Sequence, residues 1–435
     1  MTSTTLKTAM PIGFKPENRN LWRPYTQMKT APDALPVVSA KGVRLKLADG
    51  RELIDGVSSW WTVCHGYGHP HIIAAVKDQL DRVPHIMLGG LTHEPAERLA
   101  RRLAALAPGD LDHVFFCESG SVSVEIAMKM AVQSWINRGV RGRTRFVCFR
   151  GGYHGDTIAT MSVCDPDEGM HSLFAGALPQ QIIADLPEDE ASSARFEALL
   201  DAHADEIAGV VTEPLVQGAG GMRFFSPDCL RTIRRACDAR GLPLIADEIM
   251  TGFGRLGSMF ACDKAGVVPD IMTVSKALTG GTLPLAAAIA SRRIFADFWS
   301  DDAGAALMHG PTYMGNPAAC AAANASLDLF ETEPRLDQVA AIEQAYARLL
   351  PQARDIPGLA DIRWQGAIGV IEMQGLPDLD ALKTAFVEAG IWVRPFGRII
   401  YLMPPYVIDT DDLEMLINTM IGVMRTWAQA HFGGH

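Results

Sequence analysis

The sequence predicts an α/β fold, in which a large domain with a largely parallel sheet is followed by a smaller α+β domain. From about residue 70 to residue 325, short apolar segments alternate with helix-like segments, as in a sheet buried on both faces. After about residue 326 the pattern changes to a long helix followed by short strands. The chain has 435 residues, of which 48% are hydrophobic, and this length suffices for two or three domains.

The first predicted element is a hairpin over residues 43–55. Two apolar strands flank Asp49-Gly50, a pair that favours a tight turn. Because an isolated hairpin cannot bury its apolar face, residues 1–65 are expected to join the smaller domain. Residues 66–325 then form the large domain, and residues 326–435 supply the rest of the smaller one.

Six short apolar segments of the large domain are predicted strands. They are residues 114–117, 145–149, 209–212, 243–246, 271–274 and 285–290. Helix-compatible segments such as 122–135 and 228–239 separate several of them. In the last part of the chain, a helix is predicted over 333–353, strands around 362–372 and 391–403, and a final helix over about 410–427.

Composition excludes several classes of partner. A net charge of −11 without any Lys/Arg-rich block argues against nucleic acid and anionic membranes. No apolar run is long enough to span a bilayer, and residues 1–16 lack the apolar core of a secretion signal, so a cytoplasmic protein is expected. The eight cysteines are scattered, which favours buried thiols over disulfides or a metal site.

Ligands of open α/β sheets bind beyond the carboxyl ends of the strands, so the residues that follow each strand are candidates. After strand 114–117, Gly120 and Ser121 lead into a helix, whose first N–H groups and dipole favour a phosphate. The alternative is a plain N-cap made by Ser121 or Ser123. After strand 145–149, Tyr153 in a glycine-rich turn offers a flat ring for an aromatic cofactor, or is simply a half-buried tyrosine.

Two charged residues follow the next strands. Asp247 ends an apolar strand, where a carboxylate needs a cationic partner such as a protonated pyridine nitrogen. An N-cap or an ion pair with Arg255 is the alternative. Lys276 follows strand 271–274, where removal from water eases formation of a Schiff base, although a surface lysine is also consistent with the pattern. Phosphate site, aromatic ring, acid and lysine together supply what pyridoxal 5'-phosphate (PLP) needs.

In residues 244–257 (LIADEIMTGFGRLG) and 276–281 (KALTGG), the chain resembles the class III aminotransferases of fold type I. The resemblance extends from about Leu21 to Tyr406. It implies a PLP-dependent aminotransferase with a mostly parallel seven-stranded sheet and no metal. Lys276 would bond to the cofactor and move the substrate proton, Asp247 would pair with the ring nitrogen, and Tyr153 would cover the ring.

Further motifs resemble the branch of this class that forms 7,8-diaminononanoate in biotin biosynthesis. They are residues 22–25 (WRPY), 58–61 (SSWW), 89–93 (GGLTH), 165–166 (DP), 169–173 (GMHSL), 217–222 (QGAGGM), 308–312 (MHGPT), 394–396 (RPF) and 401–406 (YLMPPY). This resemblance implies that S-adenosyl-L-methionine gives its amino group, through PLP, to 8-amino-7-oxononanoate. The alternatives are an ω-amino acid:pyruvate or diamine aminotransferase, lysine as the donor, or a PLP-fold binding module without catalysis.

The resemblance also implies the remaining site residues. Gly120 and Ser121 would hold the phosphate, and Pro311 and Thr312 would reach the phosphate of a partner subunit, so that a homodimer is required. Gly310 would lie beside the substrate.

Besides Tyr153 and Gly310, four residues would bind the substrates. Arg394 would hold a substrate carboxylate in a bidentate fork, with a salt bridge at the core edge as the alternative. Trp60 and Tyr25 would line an apolar wall, whereas Trp61 is expected in the core. Arg255 is a candidate for recognising the amino donor.

At some positions the chain departs from the usual residues of the family. Arg23, Ser275 and Tyr313 are such positions, and none of them removes a catalytic group. Met250 and Leu256 also differ, and these two bear on the fit of the donor.

Overall fold

The computed structural model describes residues 20–167 and 171–433. The predicted absence of a secretion signal concerns residues 1–16, which lie outside the described residues. Gly169 and Met170 of the 169–173 motif also lie outside them. The described strands are β1 (Val37–Lys41), β2 (Arg44–Leu47), β3 (Glu52–Asp55), β4 (Leu111–Cys117), β5 (Arg145–Phe149), β6 (Ile182–Ala184), β7 (Ile207–Thr212), β8 (Val216–Gln217), β9 (Arg223–Phe224), β10 (Leu244–Asp247), β11 (Ile271–Val274), β12 (Ala286–Ser291), β13 (Leu359–Gln365), β14 (Ile368–Met373), β15 (Ile391–Trp392) and β16 (Ile399–Leu402).

A seven-stranded sheet in the order β4-β12-β11-β10-β7-β5-β6 forms the centre of the molecule. β10 lies parallel to β11 and β7, and β5 lies parallel to β7 and β6. Only β12 runs against its neighbours, β11 and β4, among the strands described for this sheet. All residues of β7, β10, β11 and β12 are buried, because helices cover both faces. The predicted α/β class with a mostly parallel sheet is confirmed.

Helices connect and cover these strands. Several begin at a side chain that accepts a hydrogen bond from a backbone N–H of the first turn, as at Ser119, Ser226 and Asn316. The helices are Pro70–Arg82, Glu94–Leu106, Gly120–Asn137, Ile158–Ser162, Glu190–Ala202, Pro227–Arg240, Ala261–Ala265, Arg292–Ala296, Pro317–Thr332, Arg335–Leu349, Leu379–Glu388 and Thr410–Phe432.

The N-terminal strands join the C-terminal part of the chain. The predicted hairpin is present as β2 and β3, and the sheet continues in the order β1-β2-β3-β15. Ile54 pairs with Ile391 and Asp55 with Trp392, in parallel. The segments that follow β3 and β15 therefore leave the sheet side by side. A separate sheet, β13-β14-β16, completes the C-terminal part, while the predicted domain boundaries stay a prediction.

The core consists mainly of two large apolar clusters that include side chains of the central sheet, such as Val211 in one and Met272 in the other. All eight cysteines are buried. Within residues 20–167 and 171–433, no helix combines the length and apolarity needed to cross a membrane. The same residues contain no cluster of three or more side chains suited to bind a metal ion.

Candidate active site

The carboxyl ends of β4, β5, β10 and β11 lie at one edge of the central sheet, because these strands run in the same direction. The residues that follow them therefore converge, as the sequence predicted. Asp247 on β10 pairs with Thr273 on the neighbouring strand β11, and Lys276 lies three residues after Thr273 in sequence. This edge carries the candidate active site.

Asp247 is buried, with 4% of its surface exposed, at the end of β10. One carboxylate oxygen lies 2.8 Å from Nδ1 of His154, and the other accepts the N–H of Ile249 at 3.1 Å. Burial alone would lower the pKa of His154, but the hydrogen bond and charge of Asp247 raise it. His154 is thus a buried partner of Asp247, and the predicted alternative of an Asp247–Arg255 ion pair is not found among the described residues.

Glu213 is a site residue that the sequence reasoning missed. It directly follows the fully buried β7 and is itself buried. Its carboxylate accepts the N–H groups of Tyr153 at 3.0 Å and Gly218 at 2.9 Å. Burial raises the pKa of Glu213 to about 7, against the opposing charge of His154. An acid directly after an apolar strand was the available signal, the same one that identified Asp247.

Lys276 follows β11 with a left-handed backbone, at a φ of 45°. Its amine lies 4.2 Å from the centre of the Trp61 ring. Burial lowers the pKa of Lys276 to about 8, although the negative charges of Asp247 and Glu213 act in the opposite direction. A larger share of neutral amine is thereby available near neutral pH than for a lysine in water.

The start of helix Gly120–Asn137 offers backbone N–H groups at the same edge. Ser119, rather than Ser121 or Ser123, is the N-cap, since its hydroxyl accepts the N–H of Val122 at 3.4 Å. The Ser121 hydroxyl instead accepts the N–H of Asp156 at 3.1 Å. A Cβ on Gly120 would lie 3.0 Å from the end of the Ile249 side chain, which would have to shift slightly to admit it.

The carboxylate of Asp156 contacts three side chains beside the turn that was predicted to bind the cofactor ring. It accepts hydrogen bonds from the hydroxyls of Tyr153, at 2.9 Å, and Tyr25, and it lies 3.0 Å from Nε2 of His171. Burial opposes these bonds, but together they lower the pKa of Asp156. Burial, with help from Asp156, raises the pKa of Tyr25 to about 12. Asp156 was not predicted as a site residue, because its partner Tyr25 lies 131 residues away in sequence.

Residues Ser58–Trp61 form one turn of left-handed helix. Their φ values are 48°, 46°, 57° and 74° in order, and the Trp61 N–H donates to the Val57 carbonyl at 2.9 Å. L-residues in a left-handed helix cost about 1–2 kcal/mol each, so the surrounding contacts must hold this turn. The short motif SSWW gave no sign of this conformation.

The turn presents two tryptophans to the site. Trp60 is 41% exposed, and its ring lies 4.5 Å from the guanidinium carbon of Arg394 and 6.3 Å from the Tyr25 ring. Trp61 is buried and faces Lys276, so it is both a core residue and a contact of the lysine. The structure thus brings the predicted wall residues, Trp60 and Tyr25, together with Arg394.

The two candidate arginines differ in exposure. Arg394 forms no ion pair among the described residues, which disfavours the salt-bridge alternative, and burial lowers its pKa. Arg255 is fully buried and donates to the Trp61 carbonyl at 3.0 Å. Its Nε and Nη1 have no hydrogen-bond partner within the described part of the chain. Arg394 thus has no carboxylate partner within the described residues, and Arg255 keeps two nitrogens without a hydrogen bond there.

Gly310, Pro311 and Thr312 lie in an exposed loop. Lys129 donates to the carbonyl of Met308 at 2.6 Å and fastens this loop to the helix that begins at Gly120. No contact places the three residues at the lysine of their own chain within the described residues. Their predicted reach into a partner subunit stays a prediction.

The residues at this edge fit PLP. Asp247 is a buried carboxylate for the ring nitrogen, Lys276 is an amine with a lowered pKa for the aldehyde, and Gly120 with Ser121 begins a helix whose N–H groups suit the phosphate. Fold and site together therefore define a PLP-dependent aminotransferase of fold type I.

The sequence pattern of the family "Aminotransferase class-III" matches residues 25–424, and the chain belongs to this family. It is 46% identical, over 93% of this chain and 94% of the relative, to the adenosylmethionine-8-amino-7-oxononanoate aminotransferase of Mycobacterium leprae. The crystal structure of the enzyme of that name from Methanocaldococcus jannaschii has a TM-score of 0.88 and 33% identity, covering 93% of this chain and 97% of that one. A PLP-bound amine transaminase from an uncultivated Pseudomonas species has a TM-score of 0.86 and 30% identity, covering 95% and 100%.

Proposed function

We propose that this aminotransferase moves the amino group of S-adenosyl-L-methionine to 8-amino-7-oxononanoate and forms 7,8-diaminononanoate, a step of biotin biosynthesis. The observation that carries the proposal is the combination of Lys276 and Asp247 with the pocket formed by Trp60, Tyr25 and Arg394. The names of the relatives support the same reaction.

PLP, when bound, stores the amino group between the two half-reactions and delocalises the negative charge that develops at the substrate carbon. Asp247, backed by His154 at 2.8 Å, holds a proton at the ring nitrogen. The amine of Lys276 takes the proton from the donor carbon and returns one to the acceptor carbon, which its pKa of about 8 permits near neutral pH.

The pocket must accept two dissimilar substrates in turn. Arg394 binds the acceptor's carboxylate, and the rings of Trp60 and Tyr25 cover its alkyl chain. Arg255 recognises the carboxylate of the amino donor, since two of its buried nitrogens have no hydrogen-bond partner among the described residues. These assignments support a donor and an acceptor that each carry a carboxylate.

We further propose a homodimer in which Pro311 and Thr312 of one subunit reach the cofactor phosphate of the other, with Gly310 beside the substrate. Their loop is exposed in the single chain, with Met308 at 73% and Tyr313 at 58% exposure. Apolar side chains of this size favour burial against another protein surface. Residues 1–65 and 326–435 are proposed to form the small domain beside the large domain of residues 66–325.

The test is to supply both substrates to the purified protein and to detect the diamine by mass spectrometry. We expect product with the wild type, no product with Lys276→Ala, and wild-type activity with Lys46→Ala, a control at an exposed lysine of β2. Lysine, diamines and ω-amino acids are supplied separately as donors. Turnover with these amines but not with adenosylmethionine would replace the proposed donor.

A further inference from the structure

The buried carboxylate of Asp55, at the end of β3, contacts neither Lys276 nor Asp247 in the described structure. It is fully buried, and burial raises its pKa. Its oxygens accept the N–H groups of Val57 at 2.9 Å and Ser59 at 3.0 Å, and the hydroxyl of Tyr67 at 2.6 Å. A buried acid is costly unless hydrogen bonds satisfy it, so this set of donors calls for an explanation.

The donors belong to the left-handed turn or fasten it. The N–H groups of Val57 and Ser59 lie at its start, and the hydroxyls of Ser59 and Tyr67 are 2.5 Å apart. On the opposite side, the Ser58 hydroxyl donates to the Met403 carbonyl at 2.7 Å. Asp55 therefore supplies the acceptors that compensate a backbone conformation which L-residues avoid.

We propose that Asp55 is a positioning residue for the acceptor pocket, because it holds the left-handed turn that sets Trp60 against Arg394 and Trp61 against Lys276. This role rests on the proposed function only for the identity of the acceptor, 8-amino-7-oxononanoate. Without these hydrogen bonds the turn relaxes toward right-handed or extended backbone, and both indole rings lose their places.

The first experiment compares Asp55→Asn and Tyr67→Phe with a control, Asp49→Asn, which makes the same change at an exposed carboxylate of the neighbouring β2–β3 turn. Active sites are counted by the absorbance of bound cofactor, so that unfolded protein does not enter kcat. We expect the KM for 8-amino-7-oxononanoate to rise about tenfold for Asp55→Asn and about threefold for Tyr67→Phe, with smaller changes in kcat and none in the control. Unchanged KM values with reduced cofactor content would overturn the proposal.

The second experiment asks whether Asp55 acts through Trp60. In a Trp60→Ala background, Asp55→Asn should change the KM less than twofold, because the indole ring that it sets against Arg394 is gone. Adding Ser59→Gly to Asp55→Asn should restore part of the lost affinity, since glycine adopts a positive φ without strain. Independent, multiplicative effects of Asp55→Asn and Trp60→Ala would contradict the positioning role.

Loss of cofactor by Asp55→Asn would prevent a measurement of its KM. In that case Tyr67→Phe tests the positioning role, because this variant removes a single hydrogen-bond donor, and an unchanged KM in it overturns the proposal. If the wild type forms no diamine, the proposed function fails. The same comparison is then made on the cofactor absorbance change with whichever amine and acceptor the wild type uses, and an unaltered acceptor KM again overturns the positioning role.

Discussion

At the residue scale, Asp247 and Lys276 are both largely buried but differ in their partners. Asp247 is taken out of water but has a hydrogen-bond partner in His154, whose pKa it raises against the effect of burial. Lys276 has no direct hydrogen bond to a carboxylate among the described residues, and burial lowers its pKa to about 8. Burial of Lys276 thus increases the share of neutral amine near neutral pH, which proton transfer by this group requires.

The first prediction concerns the pH dependence of cofactor attachment. The neutral amine of Lys276 attacks the aldehyde, so the attachment rate should rise with pH up to the pKa of about 8 and then level off. Between pH 7 and pH 9 the rise should be about tenfold. Stopped-flow absorbance after mixing PLP with cofactor-free protein measures this rate. A simple alkylamine is the control, and a protein profile that climbs to pH 10 as the alkylamine's does would contradict the lowered pKa.

The second prediction concerns Arg394. Arg394→Lys keeps the charge but loses the bidentate fork, so the KM for the carboxylate-bearing acceptor should rise about 10- to 100-fold. Arg398→Lys is the matched control. Arg398 lies in the same segment as Arg394, but it is exposed and pairs with Glu372 of β14. Steady-state kinetics with acceptors that carry or lack a carboxylate distinguish a loss of carboxylate binding from a general loss of activity. An equal loss for both acceptors would argue against carboxylate binding.

At the scale of elements, the loop of Tyr153 and the start of helix Gly120–Asn137 depend on each other. A Cβ on Gly155, where φ is +130°, would lie 2.1 Å from the Ser121 hydroxyl. The third prediction is that Gly155→Ala pushes the loop from the helix and weakens cofactor binding about tenfold or more. Gly139→Ala is the control, since its φ is +79° but its Cβ would meet nothing within 4 Å. Cofactor titration with melting temperatures in parallel checks this, and equal weakening in both variants would indicate backbone strain alone.

The sequence predicted those elements that local patterns determine. β5 and β11 have the predicted bounds, β4 and β7 begin two or three residues before the predicted start, and β10 and β12 are shifted by one residue at both ends. β6, with only Ile182–Ala184, was missed because three apolar residues in isolation do not distinguish a strand from a loop. The final helix extends beyond the predicted 427 to Phe432, where neither glycine nor proline interrupts it.

Contacts between distant residues could not be predicted from local patterns. The left-handed turn depends on Asp55 and on Met403, which lies 345 residues from its partner Ser58. Asp156 becomes a site residue only because Tyr25 meets it. Asp247 and Lys276, in contrast, were predictable, since Asp247 ends an apolar strand and Lys276 closely follows another, and the carboxyl ends of both strands face the site.

At the scale of the whole molecule, the single chain exposes several large apolar side chains. Trp22 and Trp299 are 85% and 80% exposed, and Met308 is 73% exposed beside the loop of Pro311 and Thr312. Isolated exposed apolar residues are common, but tryptophan is enriched at protein interfaces, so these two side chains are candidates for contact with a second subunit. The proposed dimer is consistent with this exposure and with the absence of a recorded contact between Thr312 and the lysine of its own chain among the described residues.

The fourth prediction tests the proposed dimer by mixing two variants, each of which is defective at a different residue. Lys276→Ala removes the lysine from its own site, whereas Thr312→Ala would weaken the site of the partner. In a mixed dimer, the Thr312→Ala subunit keeps its own Lys276 and receives an intact Thr312 from the other, so one site is complete. Random reassociation makes about half of the dimers mixed, so tight cofactor binding should return in about a quarter of all sites. Cofactor titration of the mixture against each parent measures this recovery. If Thr312 served its own chain, no site in the mixture would be complete and the titration would equal the average of the parents.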